Sequence, residues 1–213
     1  MLKQIRTDLW QTRPYSPMPG MTTHAYLWTG APDGNVLFYS TGTEDDFDDL
    51  DTLGGIAHQY LTHEDEAGTV LPRIAEHFGA RLHAPARERD AIARFATPHE
   101  LFEQRHVDER GVEVIPTPGH TPGSTSFLVP GAGGESYLFA GDTVHRPEDG
   151  DWTAGYIPGV SDADELVASL RLLGTFEPDL VIYAAGAHPV DAEGWAAGAE
   201  TAVATVPGAF NRT

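Results

Sequence analysis

Thr117-Pro-Gly-His-Thr-Pro-Gly-Ser124 and, on the far side of an apolar run, Phe139-Ala-Gly-Asp-Thr143 are the two stretches that decide the fold. In the first, prolines and glycines hold His120 in a rigid turn directly after the alternating run Val112 to Thr117, which presents an imidazole outward at low entropic cost. In the second, Asp142 follows the apolar run Tyr137 to Ala140 by two residues. Two more segments repeat the form: His58-Gln-Tyr-Leu-Thr-His-Glu-Asp-Glu-Ala-Gly68 puts His63, Asp65 and Glu66 after a strand, and Val181-Ile-Tyr-Ala-Ala-Gly-Ala-His-Pro189 puts His188 after another. Polar groups that follow several strand ends are how an active site is assembled at one edge of a sheet. Imidazoles and carboxylates in these places suggest a divalent metal cluster, and the expectation is that His63, Asp65, His120, Asp142 and His188 converge in one shell.

Working outward, alternating or mostly apolar runs at Thr23 to Thr29, Val36 to Ser40, Ile56 to Thr62, Val112 to Thr117, Ser124 to Val129, Tyr137 to Ala140 and Leu180 to Tyr183 read as strands. Val70, Leu71, Ile74, Ala75 and Phe78 recur at helical spacing and stop at Gly79. A second helix is expected to open at Ser161, with Asp164 completing a capping box, and to run to Gly174. Two others are expected at Arg87 to Phe95 and Asp191 to Val203. Strands interleaved with helices in both halves, with no long Pro/Gly/Ser linker, predict one α/β layered domain over residues 1–213. The acidic run Glu44, Asp45, Asp46, Asp48, Asp49 and Asp51 reads as a solvated loop rather than a cation site.

Composition narrows the chemistry. The 213 residues carry 32 acidic and 13 basic side chains, a formal charge of -19, and such a field repels phosphate backbones and anionic lipid. Neither nucleic acid nor a membrane is expected as a partner; a small-molecule substrate is, and the sequence leaves the oligomeric state open. The absence of cysteine excludes disulfides, thiolate zinc sites and a cysteine nucleophile, so any metal must bind nitrogen and oxygen. Met1 to Trp10 has no apolar h-region and no later stretch approaches 18 apolar residues, so the expected location is cytoplasmic.

The pair TPGHTPGS and FAGDT, about 20 residues apart in this order, resembles the metallo-β-lactamase superfamily, and within it the glyoxalase II-like hydrolases. The family's HxHxDH motif, followed by one residue and Gly, superposes on LTHEDEAG. In that register His63 and Asp65 match, while Leu61 stands at the first histidine and Glu66 at the last; a register with His63 in the first position needs two residues deleted. The segment GAHP resembles the family's terminal GHG, and FYSTG the strand that usually ends Asp-Thr-Gly, with Ser40 in place of the aspartate.

The resemblance implies a four-layer αββα sandwich with metals at the edges of two sheets. It implies one ion held by His63, His120 and a bridging Asp142, and another by Asp65, Glu66, Asp142 and His188. Zinc is favoured by affinity, manganese or iron being drawn by the carboxylates, with one or two ions bound. A histidine restored at position 61 is expected to raise metal uptake if the strand end projects it inward. The implied activity is hydrolysis of a small ester, thioester or lactone by a metal-activated water that Asp65 orients or deprotonates. Two alternatives are a catalytically degenerate metal-binding member and an iron-dependent persulfide oxygenase. His24, His58, His77, His83, His99 and His106 stand outside any motif and read as packing or surface, whereas His145, Trp152 and Tyr156 lie where they could line a pocket.

Overall fold

The computed structural model describes residues 1–148, 150–190 and 194–209. Its first half forms a seven-stranded sheet from β1 (Lys3–Arg6), β2 (Leu9–Gln11), β3 (Tyr26–Trp28), β4 (Val36–Phe38), β5 (His58–Tyr60), β6 (Arg81–Pro85) and β7 (Glu100–Phe102), in that spatial order. The helices α1 (Phe47–Thr52), α2 (Leu71–Phe78) and α3 (Arg89–Ile92) lie between these strands in the chain. The second half contributes β8 (His106–Val107), β9 (Glu113–Pro116), β10 (Thr125–Pro130), β11 (Ser136–Gly141), the small hairpin β12 (Val144–His145) and β13 (Thr153–Ala154), helix α4 (Ala163–Leu173), β14 (Leu180–Tyr183), β15 (Gly186–Pro189) and α5 (Trp195–Thr205). Its six-stranded sheet has the order β15-β14-β11-β10-β9-β8.

Why the two sheets stack is legible in β11 and β14, whose residues are buried on both faces, as a strand between two layers must be. Tyr137, Phe139, Leu180 and Ile182 enter the core shared with Phe38 and Tyr60 of the first sheet. Leu138, Ala140, Val181 and Tyr183 enter a second cluster with Leu166, Leu170 and Leu173 of α4 and Trp195, Ala199 and Ala202 of α5. Aromatic contacts fix the seam between the sheets: Phe38 stacks on Phe139 with centroids 3.9 Å apart, and Phe127 lies 5.5 Å from Phe38. A third cluster of Leu61, Leu71, Leu82, Ala84 and Ile92 joins the first sheet to α2 and α3. Helix, sheet, sheet and helix follow one another, as expected.

All seven expected strands are present, within a few residues of the expected ends. Three local readings need correction. Ser161 does not cap α4; Asp162 does, accepting from Asp164 N at 2.9 Å and Glu165 N at 3.0 Å, while Ser161 Oγ donates to the His120 carbonyl at 2.8 Å. The acidic run is not only loop: Phe47 and Leu50, three apart, turn inward and make Phe47–Thr52 helical, and Arg13 pairs with Asp46 and Asp49. The expected helix from Arg87 to Phe95 is a 3-10 turn, Ala86–Glu88, followed by the short α3. Of the helix expected from Asp191, residues 191–193 lie outside the described residues, and α5 begins at Trp195.

Strand direction decides where the site falls. β11 is parallel to β14, and β9 and β11 are each antiparallel to β10, so β9, β11 and β14 all end at one edge of the second sheet. The segment that leaves the end of β5 meets that edge, where Thr125 N donates to Thr62 O at 2.9 Å. Farther back between the sheets, His58 Nδ1 and His83 Nε2 share a hydrogen bond of 3.0 Å, and Arg110 joins Asp33, Glu100 and Asp108 around them. Burial first, then Arg110, holds both imidazoles below their ordinary pKa, so they are neutral in the folded chain. Protonation of the unfolded histidines then costs stability: the contribution is present above pH ~6.5 and falls by up to about 1.4 kcal/mol per pH unit per histidine below it. Urea unfolding with chelator present should therefore show wild-type protein losing more stability between pH 7 and pH 5 than His83→Gln; equal losses would remove this role from the pair.

Candidate metal centre

His63 follows β5 in extended backbone at the head of the 3-10 turn Glu64–Glu66, and its ring is 2% exposed. Thr62 Oγ1 lies 2.9 Å from Nδ1, and Glu66 Oε1 lies 3.3 Å from it. The same Glu66 oxygen accepts the Thr62 hydroxyl proton, and Glu66 Oε2 accepts from Thr62 N at 2.9 Å. Because Thr62 donates to the carboxylate, its oxygen accepts from Nδ1–H, which leaves Nε2 as the nitrogen of His63 that an ion can take in exchange for its proton.

His120 reaches the same tautomer by another route. Its Nδ1 stands 2.6 Å from the Gly155 carbonyl, which can only accept, so Nδ1 carries the proton and Nε2 is bare. Two glycines make this possible. Gly119, at φ 134°, lies where a Cβ would come within 2.3 Å of the Leu166 backbone in α4, and a Cβ on Gly155 would stand 1.6 Å from the Asp142 carbonyl. Both Nε2 atoms are buried and have no hydrogen-bond partner, and the rings meet edge to face with centroids 4.9 Å apart.

Carboxylates surround these two nitrogens. Asp65, with 60% of its side chain exposed, puts Oδ2 4.0 Å from His63 Nε2, and Asp142 puts Oδ2 3.7 Å from it. One ligand atom each of His63, Asp65 and His120 lies within 4.8 Å of the other two, a separation that one ion spans; among the described residues no other group of three does this. Burial alone would disfavour a charged His63, but Glu66, then Asp142 and Asp65, raise its pKa to about 10. Burial and the neighbouring His63 instead hold His120 below the ordinary imidazole range.

Two expected members of the shell are placed elsewhere. Glu66 is turned back onto Thr62 and the Nδ1 side of His63, because the 3-10 turn brings it beneath the ring rather than beside Nε2. His188 lies in β15, which runs back antiparallel from the site edge and sets His188 opposite Val181; its ring stacks on Tyr183 and Nε2 shares a 2.9 Å hydrogen bond with the Tyr183 hydroxyl. Leu61 is fully buried and packs with Leu71, Leu82, Ala84 and Ile92. Trp152 packs against Tyr183, His188 and Trp195 and pins the β12–β13 hairpin; Tyr156 packs on the cluster beneath α4, and His145 is only half-buried beside Asp142.

Other supports had little signal in the sequence. Thr62 fixes a tautomer, Gly155 holds His120, and the Tyr39 hydroxyl accepts from Gly141 N beside Asp142 while donating to Ile182 O. Tyr39 adopts φ 69°, a conformation costly for a non-glycine residue. The neighbouring Ser40 hydroxyl is buried and without a hydrogen-bond partner.

Residues 56–185, which contain every side chain of this centre, match the metallo-beta-lactamase superfamily. The chain belongs to that superfamily. Members of the metallo-β-lactamase superfamily are metal-dependent hydrolases. Similar solved structures include a metallo-beta-lactamase from Pontibacter korlensis (15% identity, TM-score 0.74, covering 97% of this chain and 98% of that one). TMB-1 (16%, 0.75, 99% and 98%) and the DIM-1 metallo-beta-lactamase (15%, 0.75, 100% and 97%) are alike to the same degree. At these identities the likeness is one of fold. No curated protein sequence matches the chain. Among the described residues, no helix of this superfamily member is long and apolar enough to cross a membrane.

Proposed function

We propose that this chain is a hydrolase of a small ester, thioester or lactone, from the glyoxalase II-like branch of its superfamily, built around a single divalent metal. The observation that carries the reading is the pair of buried Nε2 atoms of His63 and His120 that have no hydrogen-bond partner, on rings 4.9 Å apart by centroid with Asp65 and Asp142 alongside. Leaving such atoms unpaired is costly, and an ion between them removes the cost. His63, His120 and Asp65 would hold it, which leaves a fourth position for water beside Asp142. Among the described residues a second ion lacks donors, since Glu66, His188 and Leu61 are engaged elsewhere. Two nitrogens and carboxylate oxygens suit zinc, and affinity order favours it over manganese or iron.

When bound, the metal supplies Lewis acidity that brings the pKa of a water toward 7 and polarises a carbonyl. The chain supplies the rest. Asp65, mostly exposed, would bind the ion through one carboxylate oxygen and take the proton of the attacking water with the other. Thr62 with Glu66, and the Gly155 carbonyl, keep the Nδ1 protons of His63 and His120 fixed, so neither ring turns during turnover. The formal charge of -19 disfavours an anionic acyl group.

A second reading has its own support. Two histidines and one carboxylate are also the donor set of non-haem iron oxygenases, so an iron-dependent oxygenase acting on a persulfide stays in the test. Protein purified without added metal should contain zinc near one equivalent and hydrolyse members of an ester, thioester and lactone panel. A β-lactam belongs in that panel because the similar structures are β-lactamases. Iron with oxygen uptake on a persulfide selects the oxygenase; metal with no turnover selects the degenerate member.

Metal uptake should also release a proton. His63, its pKa raised to about 10, is protonated at pH 7 to 9 in the metal-free chain, whereas His120 is neutral. A metal must displace that one proton, so affinity should rise about tenfold per pH unit over this range. Calorimetry in buffers of different ionisation enthalpy should report close to one proton released per ion, and zero would contradict the arrangement at His63.

A further inference from the structure

The segment bearing His63 and Asp65 leaves the first sheet, and the turn bearing His120 leaves the second. Their separation is therefore set by whatever ties the two together. Glu88, from the 3-10 turn after β6, is 4% exposed and divides its carboxylate between them. Oε2 accepts from Glu64 N at 2.6 Å, between His63 and Asp65, and Oε1 accepts from Gly123 N at 2.6 Å, three residues beyond His120. Gly123 admits this approach because it has no side chain; a Cβ there would stand 2.7 Å from Glu88 Cγ. Among the described residues no arginine or lysine pairs with Glu88, so the two amides carry the load, and hydrogen bonds to an ionised acceptor are the shorter and stronger kind.

We propose that Glu88 is a positioning residue that sets the spacing of His63 and His120 by strapping the Glu64 and Gly123 amides to one buried carboxylate. The inference rests on the reading of those imidazoles as metal ligands. Glu88 touches neither imidazole and acts through the backbone on either side. An ion that needs both Nε2 atoms at a fixed distance registers a shift of a few tenths of an ångström, whereas the packing around Leu61 and Phe127 does not depend on the strap.

Glu88→Gln tests it without changing size. One oxygen still accepts one amide, but the new NH₂ group faces the other N–H and that strap is lost. Zinc affinity is read by competition with a chromogenic chelator, and site geometry by the visible absorption of the cobalt-substituted protein. The expected result is a folded variant with wild-type circular dichroism, about 10- to 100-fold weaker zinc binding and an altered cobalt band at saturation. Should Glu88→Gln fail to fold, Gly123→Ala, which crowds the strap while leaving its charge, is held to the same outcome. Wild-type affinity and an unchanged cobalt band in the folded variant would overturn the role of Glu88 alone. A wild-type protein that takes up neither ion would overturn the metal reading and this inference with it.

Discussion

His120→Ala should lower zinc affinity by at least about 100-fold, while His188→Ala changes it by less than about threefold. Loss of an outer-shell partner of a metal ligand already costs about 10- to 100-fold, and His120 offers one of only two partnerless imidazole nitrogens in the centre. Its removal also leaves the Gly155 carbonyl without its donor, so the hairpin that ends in β13 loses its hold on the turn. His188 faces Tyr183 and Trp152 instead, and its truncation should cost about 1 kcal/mol of stability through lost ring contacts. The pair is measured by chelator competition on folded protein. Equal loss in the two variants would mean that β15 brings His188 into the shell after all.

The second large effect is at Leu61. A histidine there would bury an imidazole in the cluster of Leu71, Leu82, Ala84 and Ile92 with no polar partner, removing leucine packing at the same time. Together these cost about 3 kcal/mol or more, a fall in Tm of roughly 10 °C for a chain this long. Metal content should not rise. The expectation that a histidine at this position completes a ligand set depended on the strand end projecting inward, whereas Leu61 packs into the apolar cluster with α2 and α3. Thermal unfolding together with elemental analysis decides it. A variant as stable as wild type that binds a second ion would restore the two-metal arrangement.

The contrast between Leu61 and His63 shows what the sequence could and could not disclose. Strands buried on both faces write themselves as apolar runs, and the turns after them are marked by proline, glycine and a polar residue. The central strands β9, β10, β11 and β14 of the second sheet, with His120 and Asp142, were therefore legible in order and spacing. β1, β2, β6, β7, β8, β15 and the β12–β13 hairpin were not, because two to five residues carry too little periodicity to separate strand from loop. Side-chain direction was hidden as well. Glu66 and His188 have the right chemistry, but a 3-10 turn and an antiparallel return strand carry them past the shell. Those are properties of backbone path rather than residue type. Thr62, Glu88 and Gly155 act through backbone or second contacts, which no spacing pattern encodes.

The most direct test of the account is the position of the ion itself, located by anomalous diffraction at the zinc edge from crystals of protein purified without added metal. The arrangement predicts one peak per chain, about 2.0–2.1 Å from Nε2 of both His63 and His120, with a carboxylate oxygen of Asp65 at a similar distance. Two peaks, or a single peak bound to His188 or to Glu66, would contradict it.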